Sequence, residues 1–192
     1  AGNNVGIEQA RKDGCEYFVI VNMDTAFEPN WLAELVLAIE SDAKIGIAQS
    51  KILLYEKDKK GNRLINSLGN SFHYLGFGFT NGYRLQDDNH DLKLKEITGY
   101  ASGCSLIVRK EVLDKIGPYD EEYYMYHDDL ELSWRAKLAG YKLVLAPKSI
   151  IYHKYEFKRS VRMLYYLERN RFIAIFSLYQ LKTILLVLPA LL

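Results

Sequence analysis

The chain has 192 residues, 49% of them hydrophobic and 26% charged, with 25 Lys and Arg against 24 Asp and Glu. That is the length of about one domain and the composition of a folded globular protein, which excludes a disordered, collagenous or disulfide-stapled chain. A formal charge of +1 also leaves no broad basic field for nucleic acid, whose binding depends on neutralising phosphates.

Asn4 to Lys12 reads as a short helix closed by Gly14. Tyr17 to Val21 is a continuous apolar run of β-branched and aromatic residues, which predicts a strand buried on both faces. It ends at Asn22-Met23-Asp24-Thr25. Pro29 opens a helix whose Trp31, Leu32, Leu35, Val36 and Ile39 keep helical spacing, and a second strand follows near Ile45 to Gln49. This alternation predicts an α/β layer fold, in which ligands sit at the carboxyl ends of strands, the address of Asn22 and Asp24.

From Tyr55 to Glu96 the pattern weakens into a polar turn, the Gly-aromatic stretch Gly69 to Tyr83 and a polar loop from Gln86 to Asp91. Its length predicts a mobile rim. Regularity returns with a strand from Gly103 to Val108 and a helix from Lys110 to Ile116 stopped by Gly117-Pro118. A helix from Asp128 to Leu138 then stops at Gly140, and Lys142 to Leu145 forms a closing strand. Residues 1–158 thus read as the core and 159–192 as a C-terminal basic and apolar helical segment. Between Lys154 and Arg171 six basic residues (Lys154, Lys158, Arg159, Arg162, Arg169, Arg171) face two acidic ones (Glu156, Glu168), next to an apolar tail. That pairing suits an anionic cytoplasmic leaflet. The uninterrupted run Thr183 to Leu192 is shorter than the ~20 residues of a membrane span. Cys15 and Cys104 have no Cys-x-x-Cys spacing, which fits a reducing compartment.

Three groups of residues could carry chemistry. Asn22-x-Asp24 leaves a strand end and offers oxygen ligands that suit Mg²⁺ or Mn²⁺, although Asn and Asp also favour turns on their own account. His127-Asp128-Asp129 with Glu131 opens a helix. Asp128 and Glu131 fit a capping box, but adjacent carboxylates diverge by about 100 degrees on a helix, so Asp129 can face a cleft as a general base. Crowded like charges and partial burial would raise its pKa. His153, just after the last strand, could complete a metal site or simply pack. Gly103 and Cys104 precede a strand, where Gly allows close approach of a sugar or only a turn.

Taken together, Gly2-Asn-Asn4-Val-Gly6-Ile, Val21-Asn22-Met-Asp24-Thr25, Ser102-Gly103-Cys104-Ser-Leu-Ile-Val-Arg109, Tyr119-Asp120-Glu-Glu, Met125-Tyr-His-Asp128-Asp129-Leu-Glu131-Leu-Ser-Trp134-Arg135, Gly140-Tyr141 and Tyr152-His153 occur in a familiar order. The chain resembles family 2 glycosyltransferases of the GT-A fold, and within them the rhamnosyltransferase-like branch that builds cell-surface polysaccharides. The resemblance implies a Rossmann-like, mixed and mostly parallel sheet flanked by helices. It also implies an N-terminally truncated core, because in that family the nucleotide-binding strands precede the segment that begins here, so donor binding by this piece would be impaired.

Carried over to this sequence, the resemblance makes Asp129 the general base of an inverting transfer and places Asp128, Gly103 and Cys104 on the acceptor side. Asn4, Gly6, Asn22 and Asp24 fall on the donor side, and Asp24 and His153 beside a Mg²⁺ or Mn²⁺ ion. The implied partners are a nucleotide-sugar donor, a glycan or lipid-linked acceptor and a membrane surface, at the cytoplasmic face of the cell membrane. Asn22 departs from the family's Asp-x-Asp and removes one carboxylate; Asp128 stands where the family has Glu and shortens its reach. Two rival readings are a non-catalytic carbohydrate-binding or membrane scaffold module and a nucleotidyltransferase. The latter needs a Gly-rich phosphate loop near its start, and none is visible.

Overall fold

The computed structural model describes residues 2–88, 93–155 and 160–191. The expected boundary at 158/159, the basic-run residues Glu156, Lys158 and Arg159, and the end of the polar loop at 89–91 lie outside the described residues. The elements in chain order are α1 (Gly2–Lys12), β1 (Tyr17–Val21), β2 (Thr25–Phe27), α2 (Trp31–Glu40), β3 (Ile45–Leu54), β4 (Ile65–Ser67), β5 (Asn70–Phe72), β6 (Gly78–Thr80) and β7 (Lys95–Glu96). They continue with β8 (Ser105–Arg109), α3 (Lys110–Ile116), a 3₁₀ turn Glu121–Tyr123, α4 (Asp128–Leu138), β9 (Lys142–His153), α5 (Val161–Leu178) and α6 (Leu181–Leu191).

Among the described residues, the main sheet has the order β1-β8-β3-β9-β2, with β4 on β3 and β7 on β9. β3 and β9 form its long parallel spine. β8 enters between β1 and β3 antiparallel to both, so β1, β3 and β9 point the same way. The sheet is mixed as expected, but its parallel character lies in strand direction; apart from β3 and β9, neighbouring strands pair antiparallel. No periodicity argument separates β8 from its parallel neighbours, because a strand buried on both faces reads the same in either direction.

Alternation along the strands sorts the core into two layers. On one face Leu35, Ala38 and Ile39 of α2 pack on Ile45, Ala48, Ile107 and Val144. On the other, Ile7 of α1, Val112 and Leu113 of α3 and Leu132 and Ala136 of α4 pack on Phe18, Ile20, Ile47, Leu106, Val108 and Leu143. β1 is not buried on both faces: Val19 and Val21 are 37% and 38% exposed. The reason is position, since β1 lies at the sheet edge, while α2 packs on β9, β3 and β8.

β9 runs well past Leu145, to His153, because a bulge absorbs Pro147. The β3–β9 register jumps from Ser50↔Ala146 to Lys51↔Ile150. Proline cannot donate to the ladder, so the strand pair bypasses it. Buried hydroxyls close the gap: Ser50 Oγ lies 2.8 Å from both Ser105 Oγ and Ser149 Oγ, and Ser149 Oγ donates to the Trp31 carbonyl at 2.7 Å.

The expected mobile rim is instead built of short strands. β5 and β6 pair as a hairpin, and the Asn70 and Tyr100 backbones exchange two hydrogen bonds of 3.0 Å. Gly99 makes this approach possible, since a Cβ there would lie 2.0 Å from the Asn70 carbonyl oxygen. α5 packs into the same body through Ala174, against Tyr123 and Leu130. Among the described residues, no helix is long and apolar enough to cross a membrane.

Leu106 is fully buried at the centre of the larger layer. Leu106→Ala is expected to lower unfolding free energy by about 2–5 kcal/mol, read as a shift in the urea midpoint at unchanged slope.

Candidate active site

The site lies where the carboxyl ends of β1, β3 and β9 meet the head of β8. There a cleft of about 1170 Å³ opens, lined on its inner side by Asn22, Asn66, Ser102, Gly103, Cys104, Tyr119, Asp128, Asp129 and His153. The Asn22–Asp24 turn carries the chain from β1 across to β2, which pairs with the end of β9. Asn22 N–H donates to the Cys104 carbonyl at 3.0 Å, and Thr25 Oγ1 closes the turn by donating to the Asn22 carbonyl at 2.6 Å. Lys154 N–H then donates to the Asp24 carbonyl at 2.8 Å, bringing Asp24 beside the last residue of β9.

That residue is His153, at the end of β9 rather than beyond it. Its Nε2 lies 3.2 Å from Asp24 Oδ1, and its Nδ1 lies 2.9 Å from Asn66 Oδ1. An amide oxygen only accepts, so Nδ1 carries the proton. Burial favours the neutral ring by pushing the His153 pKa down, against the opposing pull of Asp24. With the proton on Nδ1 the Nε2 lone pair faces a carboxylate oxygen, an arrangement that a proton on Nε2 or a divalent cation would satisfy. Asp24 and His153 therefore fit a divalent ion such as Mn²⁺, with Asn66 orienting the imidazole as an outer-shell partner. Among the described residues no group of three or more His, Cys, Asp or Glu forms a metal cage, so protein side chains of those types supply two ligands at most.

The opposite wall is the start of α4. His127, not Asp128, is the N-cap residue, with φ 61° and no side-chain cap. The capping-box expectation is corrected accordingly: Glu131 turns away to pair with Arg135, whose guanidinium also donates to the Ile116, Gly117 and Pro118 carbonyls. Asp128 and Asp129 are left facing the cleft. Asp129 Oδ2 accepts from Gly103 N–H at 2.9 Å and Oδ1 from Leu130 N–H at 2.8 Å. A Cβ on Gly103 would lie 3.3 Å from Asp129 Cβ, so the glycine lets β8 and α4 touch.

Desolvation, then the neighbouring Asp128 charge, outweigh those two N–H donors and push Asp129 up to about 7. Burial raises Asp128 as well. Such a pair loses its last proton near neutrality, where a general base is most effective. Cys104 links the two walls. Burial pushes its thiol well above the ordinary range, and both Asp24 and Asp129 add to the rise, so the two carboxylates act on one buried sulfur.

The sequence expectations for Asn4 and Gly6 are corrected by the geometry. Asn4 clamps the Tyr119 peptide, donating to its carbonyl at 2.9 Å and accepting its N–H at 3.1 Å, and donates to Glu121 at 3.0 Å. Gly6 lies on the exposed side of α1, where an added Cβ would meet nothing within 4 Å. Neither lines the cleft, and nor does Asp24, which reaches it through His153; Asn3 does. The outer wall is formed by Phe77, Phe79 and Tyr83 of the Gly69-to-Tyr83 stretch together with Tyr124, Tyr126, Tyr155 and Leu164 and Leu167 of α5, the latter group missed by sequence reasoning. The aromatic count signalled stacking surfaces, but no spacing rule gathers residues from 77 to 167. Three of the six residues of the basic run are engaged within the fold. Buried Arg171 pairs with Glu168 and donates to the Leu75 carbonyl at 2.7 Å, Arg169 donates to the Glu122 carbonyl, and Arg162 reaches Tyr124 Oη at 3.1 Å.

Because Asp129 binds its proton more tightly folded than unfolded, it favours the folded state at low pH, and that advantage is lost as pH rises from about 4 to about 7. Over that window the loss amounts to up to roughly 4 kcal/mol. The difference in unfolding free energy between Asp129→Asn and the parent should therefore move in favour of the variant between pH 5 and pH 8. A pH-independent difference in urea titrations would contradict the buried-carboxylate account.

This geometry has counterparts among known proteins. Residues 1–117 match Glycosyl transferase family 2. The chain is 27% identical over 158 residues, 79% of its length, to an uncharacterized protein of Sinorhizobium fredii, of which it covers 16%. It is 37% identical over 57 residues, 29% of its length, to an N-acetylglucosaminyl-diphospho-decaprenol L-rhamnosyltransferase of Mycobacterium tuberculosis, of which it covers 19%. Among solved structures, GalNAc-T7 with UDP, GalNAc and Mn²⁺ superposes on 78% of the chain with a TM-score of 0.57 at 18% identity, the chain covering 30% of it. The chain thus spans under a fifth of the curated relatives' length. The fold is that of the GT-A glycosyltransferases, and the chain belongs to glycosyl transferase family 2.

Proposed function

We propose that the protein transfers a sugar, with inversion, from a nucleotide-diphosphate sugar to a hydroxyl of a glycan or lipid-linked acceptor in cell-surface polysaccharide synthesis. The observation that carries this reading is the cleft itself: His153 on one wall, its Nε2 3.2 Å from exposed Asp24, and on the other Asp129, held by Gly103 N–H at 2.9 Å. The short similarity to the mycobacterial L-rhamnosyltransferase supports rhamnose or a related hexose as the sugar. Family membership and the Mn²⁺-containing neighbour support Mn²⁺ or Mg²⁺ as the cofactor.

In this mechanism Asp129 accepts the proton of the acceptor hydroxyl as that oxygen bonds to the anomeric carbon. The bond from that carbon to the diphosphate oxygen breaks at the same time, and the nucleoside diphosphate leaves. Burial, with the Asp128 charge added to it, keeps the Asp129 pKa high enough for the transfer. Asp24 and His153 would hold the divalent ion, which when bound offsets charge on the departing diphosphate. The β5–β6 hairpin, with Phe77 and Phe79 on the cleft, limits water over the reacting groups. For location, we place the reaction at the cytoplasmic face of the membrane; the support is the exposed apolar side of α6, formed by Leu181, Leu185 and Leu186 beside Lys182.

Asp129→Asn should abolish transfer while leaving Mn²⁺-dependent donor binding within about twofold, by product chromatography and calorimetry. Turnover near the parent rate would remove Asp129 as the base. His153→Ala should weaken Mn²⁺ binding by about tenfold or more, read by titration calorimetry, with little change in thermal midpoint. Unaltered Mn²⁺ affinity would take His153 out of the metal site.

A further inference from the structure

The backbone leading into Asp128 is unusual. Among the described residues, the non-glycine positions with positive φ are Arg84, Tyr124, Tyr126 and His127. Three of these four fall in the four residues before Asp128. Tyr124, at φ 55°, ends the 3₁₀ turn, and Tyr126 and His127, at 68° and 61°, turn the chain into α4. L-residues avoid this region, so a run of them persists only when the surroundings impose it.

The imposing group is Asn170 of α5, which has no solvent exposure. Its Nδ2 lies 2.7 Å from the Tyr123 carbonyl oxygen, 2.8 Å from that of Met125 and 2.7 Å from that of Tyr126. Its Oδ1 accepts from Arg169 Nε at 3.0 Å, which fixes the amide with its nitrogen toward the three carbonyls. Two N–H groups serve three acceptors, so one hydrogen is shared. No other side chain of this size brings two donors to one point: Leu brings none, Ser one, and Asp would set a carboxylate against three carbonyl dipoles.

We propose that Asn170 is a positioning residue, which from inside α5 holds the 123–127 backbone in its left-handed path and so aims Asp129 across the cleft at the acceptor hydroxyl. This rests on the reading of Asp129 as the base, and it makes α5 part of the site's construction. The path from Asn170 to the site is short: the Tyr126 carbonyl is one residue before His127, whose own carbonyl accepts the Glu131 N–H at 2.9 Å in the first turn of α4.

Asp129 also binds an amide from a different part of the chain, Gly103 N–H at 2.9 Å, so Gly103 protection from hydrogen exchange reports where Asp129 points. In Asn170→Leu, exchange at Gly103 and across 123–131 is expected to rise about tenfold or more, while amides in β3 and β9 keep parental rates. Turnover should fall about ten- to a hundredfold with donor KM within twofold, because donor contacts lie on the other wall. Asn170→Ser, which keeps one donor, should fall between Leu and the parent and serves if the Leu variant does not fold. Parental Gly103 protection in a folded Leu or Ser variant would overturn the proposal, as would parental turnover with the loop released. Asp129→Asn is measured alongside: if it transfers sugar normally, the base assignment fails, while the Gly103 result still decides whether Asn170 aims that side chain.

Discussion

The hydrogen bond from Gly103 N–H to Asp129 Oδ2 joins the head of β8 to the start of α4, and the site is arranged around it. On one side a glycine, where a Cβ would crowd Asp129 Cβ at 3.3 Å, meets a partly buried carboxylate on the other. A buried carboxylate that keeps its charge needs donors; this one has two backbone N–H groups, and Asp128 beside it works against them. Desolvation, then the Asp128 charge, outweighs the donors and raises Asp129 to about 7. A carboxylate with an ordinary pKa would be ionised but weakly basic near neutrality, whereas burial makes this one the stronger proton acceptor.

The far wall shows the same logic with opposite chemistry. His153 is held by Asn66 so that its second nitrogen faces Asp24, an arrangement of two acceptors that a proton or a metal ion satisfies. Burial disfavours the protonated ring, while the Asp24 charge favours it. Among the described residues no third His, Cys, Asp or Glu joins the two. The walls meet at Cys104, whose thiol feels both carboxylates.

α5 changes how the C-terminal region is understood. Its basic residues look in sequence like a run waiting for anionic lipid, yet Arg162, Arg169 and Arg171 are engaged with Tyr124, Glu122, Leu75 and Glu168. The segment leading into α4 is costly to hold in left-handed backbone, at about 1–3 kcal/mol per strained residue, and a helix packed behind it supplies the restraint. Leu164, Leu167, Glu168 and Arg171 also line the cleft, so the same helix both builds the loop and walls the substrate space.

Local residue order determined much of this. Buried strands and amphipathic helices follow from apolar spacing, so α3 and α4 fall where their stop signals place them, at Gly117 and Gly140. Asn22-x-Asp24 at a strand end and paired carboxylates at a helix start are likewise visible, since each is a local pattern with a local chemical reason. Tertiary structure decided what periodicity cannot encode: the antiparallel entry of β8, the bulge that carries β9 past Pro147 to His153, and the edge position that exposes Val19 and Val21. It also decided partners. Asn4 is spent on Tyr119, Glu131 on Arg135 and Asn170 on three carbonyls, because a polar side chain's partner is set by whichever group burial brings within reach, often a hundred residues away.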